Sequence, residues 1–262
     1  MKPLVFLGGG RISAALVAGL RGAGYPGRII VHDRNPEKLR SLARRFGLHA
    51  EPSLRAAIAQ AGLLIIAVRP TNVLTLLSEA GAIPPGAVCL SLAAGVPLAA
   101  LRRAARPHIA WARAMPSPAC RDGHGLTALA FDRRVPRAAR QRVRHLFARV
   151  GAVLEIPERE FDAFTVVYST SQGYHALAAR LRAARKIGLS SRVAFLAAAH
   201  GLAEGVRALE TNPAALESLL AEAATPGGIA AEVMRAMRAG GYEQLVERAY
   251  RAGQARARRL GR

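Results

Sequence analysis

The chain has 262 residues, 38 Lys+Arg against 17 Asp+Glu, a formal net charge of +21 and a pI near 11.6. With 51% apolar residues it can build about two domains with sizeable cores, which excludes intrinsic disorder. Lys2, Lys38 and Lys186 are the lysines, and arginine recurs with alanine along the whole length, so the charge reads as compositional bias and not as a nucleic-acid patch.

Short apolar runs alternate with helix-length segments through the first half. Residues 4–7, 29–32, 63–68, 88–92 and 108–113 read as buried strands, and residues 13–22, 36–46, 53–60, 72–80 and 98–106 as the helices between them. A helix at 136–150 and a strand at 152–156 complete the pattern. Strands this apolar imply a parallel sheet covered on both faces, which is a Rossmann-type, doubly wound α/β domain.

Beyond Pro157 the strand-like runs stop. Residues 174–186, 191–210, 213–221, 228–238 and 242–259 have helical spacing, with caps expected at Ser190 or Ser191, Asn212 and Thr225. The expected division is a dinucleotide-binding domain at 1–157 and an all-helical domain at 158–262. Residues 191–210 carry Val193, Phe195, Leu196 and Leu202 among alanines, an apolar arc too wide for an ordinary surface helix. That helix belongs at a bundle centre or a subunit interface, so a homodimer is expected.

Cys89 and Cys120 form neither a disulfide framework nor a ligand-spaced pair, and the histidines are dispersed with no His-x-x-x-His, so a reducing cytoplasm and no metal are expected. No apolar stretch reaches the ~18 residues of a membrane span. The opening run stops at Gly8, short of the ~7–15 residues of a leader. Trp111 reads as core, both cysteines as inert, and the Arg-rich end (Arg248, Arg251, Arg256, Arg258, Arg259, Arg262) as a solvated helix face.

Gly8-Gly9-Gly10-Arg11-Ile12-Ser13 sits where the first strand meets the first helix. Gly8 permits the turn, Gly10 lets backbone approach a pyrophosphate, and Ser13 lets helix and strand pack closely. The helix N-terminus adds free N–H groups and a positive dipole end. Asp33, 23 residues beyond Gly10, suits a ribose diol, whereas Arg34 and Asn35 suit a 2′-phosphate. NADP is therefore favoured over NAD, which stays open.

Further landmarks follow in order: Ala67-Val68-Arg69-Pro70, Ser91-Leu92-Ala93-Ala94-Gly95-Val96, Arg113-Ala114-Met115-Pro116 followed by Ser117-Pro118-Ala119, Asp162-Ala163-Phe164-Thr165, and Thr225-Pro226-Gly227-Gly228. On these motifs the chain resembles the pyrroline-5-carboxylate reductase family over nearly its whole length. The resemblance implies NAD(P)H-dependent reduction of a cyclic imine, pyrroline-5-carboxylate, to proline. It also implies a helical domain that forms the dimer and helps to complete the active site. The implied cofactor-binding residues are Gly8, Gly10, Arg11, Ile12, Asp33, Arg34, Asn35, Val68, Arg69, Pro70, Ala93, Gly95 and Met115. Gly227 and Gly228, whose backbone N–H groups suit a carboxylate, join Ser169 and Ser171 as substrate-binding candidates. Thr225, Tyr168 and Thr170 are the catalytic candidates.

The chain departs from the family pattern at four places. Arg11-Ile12-Ser13 replaces Asn-Met-Ala, and the Asn after Met115-Pro116 is missing. Residues 168–174 replace Ser-Gly-Ser-Gly-Pro-Ala-Tyr, and Ile229-Ala230 replaces Thr-Thr. Ala230 thus lacks a hydroxyl expected near the substrate nitrogen, which Tyr168, Ser169, Thr170 or Ser171 could resupply. Two other readings remain: a divergent imine or ketone reductase, and a non-catalytic NAD(P)-binding sensor. A nucleic-acid binder finds no helix-turn-helix, zinc-finger or aromatic stacking motif here.

Overall fold

The structure, a computed structural model, describes residues 2–105, 109–210 and 215–261. These divide into two compact units, Met1–Tyr168 with Gly253–Arg262, and Ser169–Ala252.

In the first unit the described residues form one sheet from β1 (Leu4–Leu7), β2 (Ile29–His32), β3 (His49–Ala50), β4 (Leu63–Ile66), β5 (Val88–Ser91), β6 (Ala110–Pro116), β7 (Gly125–Phe131) and β8 (Gly151–Glu155). Their order is β3-β2-β1-β4-β5-β6-β7-β8. Neighbours from β3 to β6 are parallel, β7 runs antiparallel to β6, and β8 is parallel to β7.

Alternation along each strand divides the core between the two faces of the sheet. Leu4 and Phe6 join the core formed with α1 (Arg11–Gly22), α2 (Pro36–Phe46) and α6 (Arg137–Ala148), through Leu16, Leu39 and Phe147. Val5 and Leu7 join the other, with Ile58 of α3 (Leu54–Ala59), Leu76 of α4 (Val73–Glu79) and Leu101 of α5 (Leu98–Ala104). Leu7 pairs with both His32 and Ile66, so β1, β2 and β4 end level and their following loops gather at one edge.

Local chemistry sets the element ends. Asn35 caps α2, its side chain accepting from the N–H groups of Glu37 and Lys38, and Gly47 ends the helix in the left-handed region. The strand expected at 63–68 stops at Ile66, because Pro70 starts a 3-10 turn, Pro70–Asn72, ahead of α4. Helix α1 begins at Arg11, two residues before the expected start. Arg106, His108, Asn212 and Pro213, which bound expected elements at 98–106, 108–113 and 213–221, and the cap at Asn212, lie outside the described residues, as does Arg262. Strand β7 was not expected at all.

Helix α7 (Glu158–Val167) is fastened to β6 through one buried guanidinium. Arg113, 1% exposed, lies 4.0 Å over the Phe161 ring and pairs with Glu158 at 3.1 Å and Asp162 at 2.8 Å. Glu158 also accepts the N–H of Leu98 at 2.8 Å, which ties the start of α5 to the same group. Trp111, as expected, is fully buried.

The second unit is helical: α8 (Thr170–Lys186), α9 (Ser191–Glu210), α10 (Leu216–Ala223), α11 (Ile229–Ala239) and the first part of α12 (Tyr242–Leu260). Only Ala194 and Ala198 of α9 are buried, while Phe195, Val206 and Ile229 are 51%, 64% and 88% exposed. The wide apolar arc of α9 is therefore uncovered within one chain. Ser190 does cap α9, accepting from Val193 N–H at 3.5 Å. Thr225 does not cap α11: Gly228 holds the N-cap position, and no side chain bonds there.

Candidate dinucleotide and active site

The turn after β1 is closed from inside. Gly8 has φ +112°, and a Cβ there would stand 2.6 Å from the Ala67 carbonyl oxygen and 3.2 Å from Val68 Cγ1. Only glycine fits such a position without strain. Ser13 is buried and its hydroxyl donates to Gly8 O at 2.6 Å, locking the turn onto the first turn of α1. By contrast, nothing lies within 4 Å of a Cβ built on Gly10, the N-cap of α1, and no side chain caps this helix. The result is an open, uncapped helix start, with Arg11 and Ile12 opening the helix, where N–H groups and the positive dipole end can meet a diphosphate.

Asp33 braces this turn from the next strand. Its Oδ2 accepts from Gly9 N–H at 2.7 Å and its Oδ1 from Asn35 N–H at 2.8 Å. Each carboxylate oxygen keeps a second lone pair for a ligand hydroxyl. Beside it lies an open depression of about 620 Å³ lined by Asp33, Arg34, Asn35, Pro36, Glu37 and Arg40. Arg34 pairs with Glu79 at 2.5 Å, so its guanidinium is engaged.

The remaining cofactor candidates are less uniform. Val68 lies against the glycine turn, Arg69 is exposed, and Pro70 starts the 3-10 turn. Ala93 is buried, its N–H bonded to Ser91 Oγ at 3.3 Å. Gly95 has φ +73° and is pressed against the end of α12, where a Cβ would stand 2.4 Å from Ala257 O. Its need for glycine thus has a packing cause of its own. Met115 packs on Phe161 and the alanines of β7.

Tyr168 closes the first unit. Its hydroxyl accepts from Leu126 N–H at 2.9 Å, and its ring tilts against Phe164 with centroids 5.0 Å apart. Leu126 precedes Thr127, which pairs with Pro116 at the end of β6, so the hydroxyl stands at the edge where the parallel strands end. That phenol accepts one bond and keeps its own proton to give.

The other candidates belong to the helical unit. Ser169 and Ser171 share a hydrogen bond at 2.6 Å, and Thr170 opens α8, exposed. Thr225 O accepts from Gly228 N–H at 2.9 Å in a turn that Gly227 passes at φ +76° before α11. Ala230 is exposed in the first turn of that helix.

Burial pushes the thiols of Cys89 and Cys120 up to about 12 and about 11, so neither is a nucleophile near neutral pH. Among the described residues no group of His, Cys, Asp and Glu could hold a metal, and no helix is long and apolar enough to cross a membrane.

Glu158 and Glu79 belong to no sequence motif, whereas Ser13 belongs to the glycine motif and adds to its small size a hydroxyl bond to Gly8 O. Glu79 sits 45 residues from Arg34, with no local signal beyond an acid at a helix C-terminus, where the dipole disfavours it.

Residues 3–95 match a family model described as NADP oxidoreductase, coenzyme F420-dependent, and residues 158–260 match pyrroline-5-carboxylate reductase dimerisation. A pyrroline-5-carboxylate reductase of Mycobacterium leprae is 32% identical over 212 residues, 78% of this chain and 72% of that protein. One of Thermus thermophilus is 34% identical over 206 residues, 76% of this chain and 77% of that protein. In structure, pyrroline carboxylate reductase of Plasmodium falciparum with NADP bound superposes with a TM-score of 0.90, covering 100% of this chain and 98% of that one at 18% identity, a likeness of fold.

Proposed function

This chain belongs to the pyrroline-5-carboxylate reductase family, and we propose that it reduces pyrroline-5-carboxylate to proline with NADPH, working as a homodimer. The observation that carries the reading is the uncapped start of α1 beside a Gly10 with open space, braced by Asp33. These residues fit a dinucleotide: helix N–H groups for the diphosphate, Asp33 for the ribose, and Arg34 with Asn35 for a 2′-phosphate. When bound, the nicotinamide supplies the hydride that adds to the imine carbon.

The chain's own residues have three tasks. The Gly228 N–H is spent on Thr225 O, so the Gly227 N–H and the uncapped first turn of α11, which opens at Ile229, hold the substrate carboxylate without a charged side chain. Tyr168 gives its phenolic proton to the imine nitrogen as hydride reaches the carbon, so ring C=N becomes CH–NH. Thr225, Thr170, Ser169 and Ser171 orient the ring by hydrogen bonds in place of the hydroxyl missing at Ala230.

The dimer is supported by α9, α10 and α11, whose apolar side chains stay exposed in a single chain. Large uncovered apolar faces on rigid helices favour self-association. Cofactor oxidation at the nicotinamide absorbance, with pyrroline-5-carboxylate and with other cyclic imines, tests the reading. The change at Ala230 favours the panel, because a shifted hydroxyl set can prefer another ring.

A further inference from the structure

We propose that Glu79 sets the coenzyme preference by competing with the 2′-phosphate of NADPH for the guanidinium of Arg34. The inference rests on the dinucleotide reading above and assigns a role to a residue that no motif contains. Arg34 Nη2 and Glu79 Oε2 are 2.5 Å apart, and the two side chains are 62% and 48% exposed. Glu79 ends α4, where its charge meets the negative end of the helix dipole, so Arg34 is what stabilises a carboxylate there.

The charge balance gives the competition its sign. The depression is lined by Asp33, Arg34, Glu37 and Arg40, two acids against two bases, and Glu79 adds a third negative charge at its edge. A 2′-phosphate brings close to two more negative charges and needs the same guanidinium, while the free hydroxyl of NADH needs none of it. Glu79 therefore occupies Arg34 as an internal substitute for phosphate and repels the real one. Both effects weaken NADPH and leave NADH nearly untouched. An exposed pair of this kind corresponds to at most about a fivefold change in affinity.

The test is titration of the full-length protein with NADPH and with NADH, read by nicotinamide fluorescence, for wild type, Glu79→Gln and Glu79→Ala. Both variants tighten NADPH about fivefold and change NADH less than about twofold, and the gain shrinks in high salt. In an Arg34→Ala background the same substitutions tighten NADPH by clearly less than in wild type, because only the repulsion is then relieved. An equal shift for both coenzymes, no shift, or weaker NADPH binding would overturn the inference while leaving the dinucleotide reading intact. Failure of wild type to bind either coenzyme would remove that reading and the inference together.

Discussion

Arg113 Nη2 donates to Asp162 Oδ1 at 2.8 Å from a side chain only 1% exposed, and this bond fastens α7 to β6. Helix α7 leads directly to Tyr168, so a buried ion pair in the sheet holds the position of a candidate proton donor at its edge. Removing the acid leaves the guanidinium buried with Glu158 alone, whereas removing the base leaves two carboxylates whose side chains are 33% and 27% exposed. Asp162→Ala therefore costs about 2–3 kcal/mol in urea unfolding, more than Arg113→Met, which keeps the stacking volume over Phe161 and costs about 1 kcal/mol.

Gly8 and Gly10 are two residues apart and respond oppositely to the same substitution. Gly8→Ala forces a side chain onto Ala67 O at a positive φ and lowers the melting temperature, by about 1–3 kcal/mol of stability. Gly10→Ala meets no protein atom, so folding is unchanged, but the methyl fills the space through which a diphosphate approaches. Its NADPH affinity falls more than about tenfold. Paired thermal melts and coenzyme titrations separate the two effects.

Gly95 shows the same clash without a ligand. Gly95→Ala drives a methyl against Ala257 O and loosens the end of α12, with a loss of about 1–3 kcal/mol and earlier proteolysis near residue 257.

Asp132 contributes an acid-sensitive element. Burial raises its pKa, but the Arg134 N–H and the Arg102 side chain, 2.8 Å away, outweigh that and hold it below its usual 3.8. A folded value below the unfolded one means the unfolded state binds its proton first as pH falls. The contribution is complete above about pH 4–5 and is lost as pH drops through the depressed folded value. Asp132→Asn flattens this acid limb in unfolding measured against pH, with little slope change above pH 6.

Tyr168→Phe removes the acceptor of Leu126 N–H and the proposed proton source. Stability falls by about 1 kcal/mol and turnover falls far more than coenzyme affinity. Full turnover retained by both Tyr168→Phe and Thr170→Ala would rule out hydroxyl replacement from this segment.

The alternating core was legible because strands such as Leu4–Leu7 and Ile29–His32 are apolar throughout, and the tight turn after β1 because its glycines sit between strand and helix. Strand β7 was not, since Gly125–Phe131 is rich in alanine and glycine, poor strand formers, and becomes a strand only by pairing with both β6 and β8. The Arg34–Glu79 and Arg113–Glu158 pairs join residues 45 apart, a separation that no local pattern reports. Tyr168 was singled out as a hydroxyl source, but its tie to Leu126 depends on β7 and could be found only in three dimensions.

The most direct test is the initial rate of NADPH oxidation by the purified full-length protein with pyrroline-5-carboxylate, with proline identified as the product. Stoichiometric proline formation, abolished or strongly reduced by Gly10→Ala, is the predicted result. NADPH binding without oxidation on pyrroline-5-carboxylate or any other cyclic imine would contradict the account.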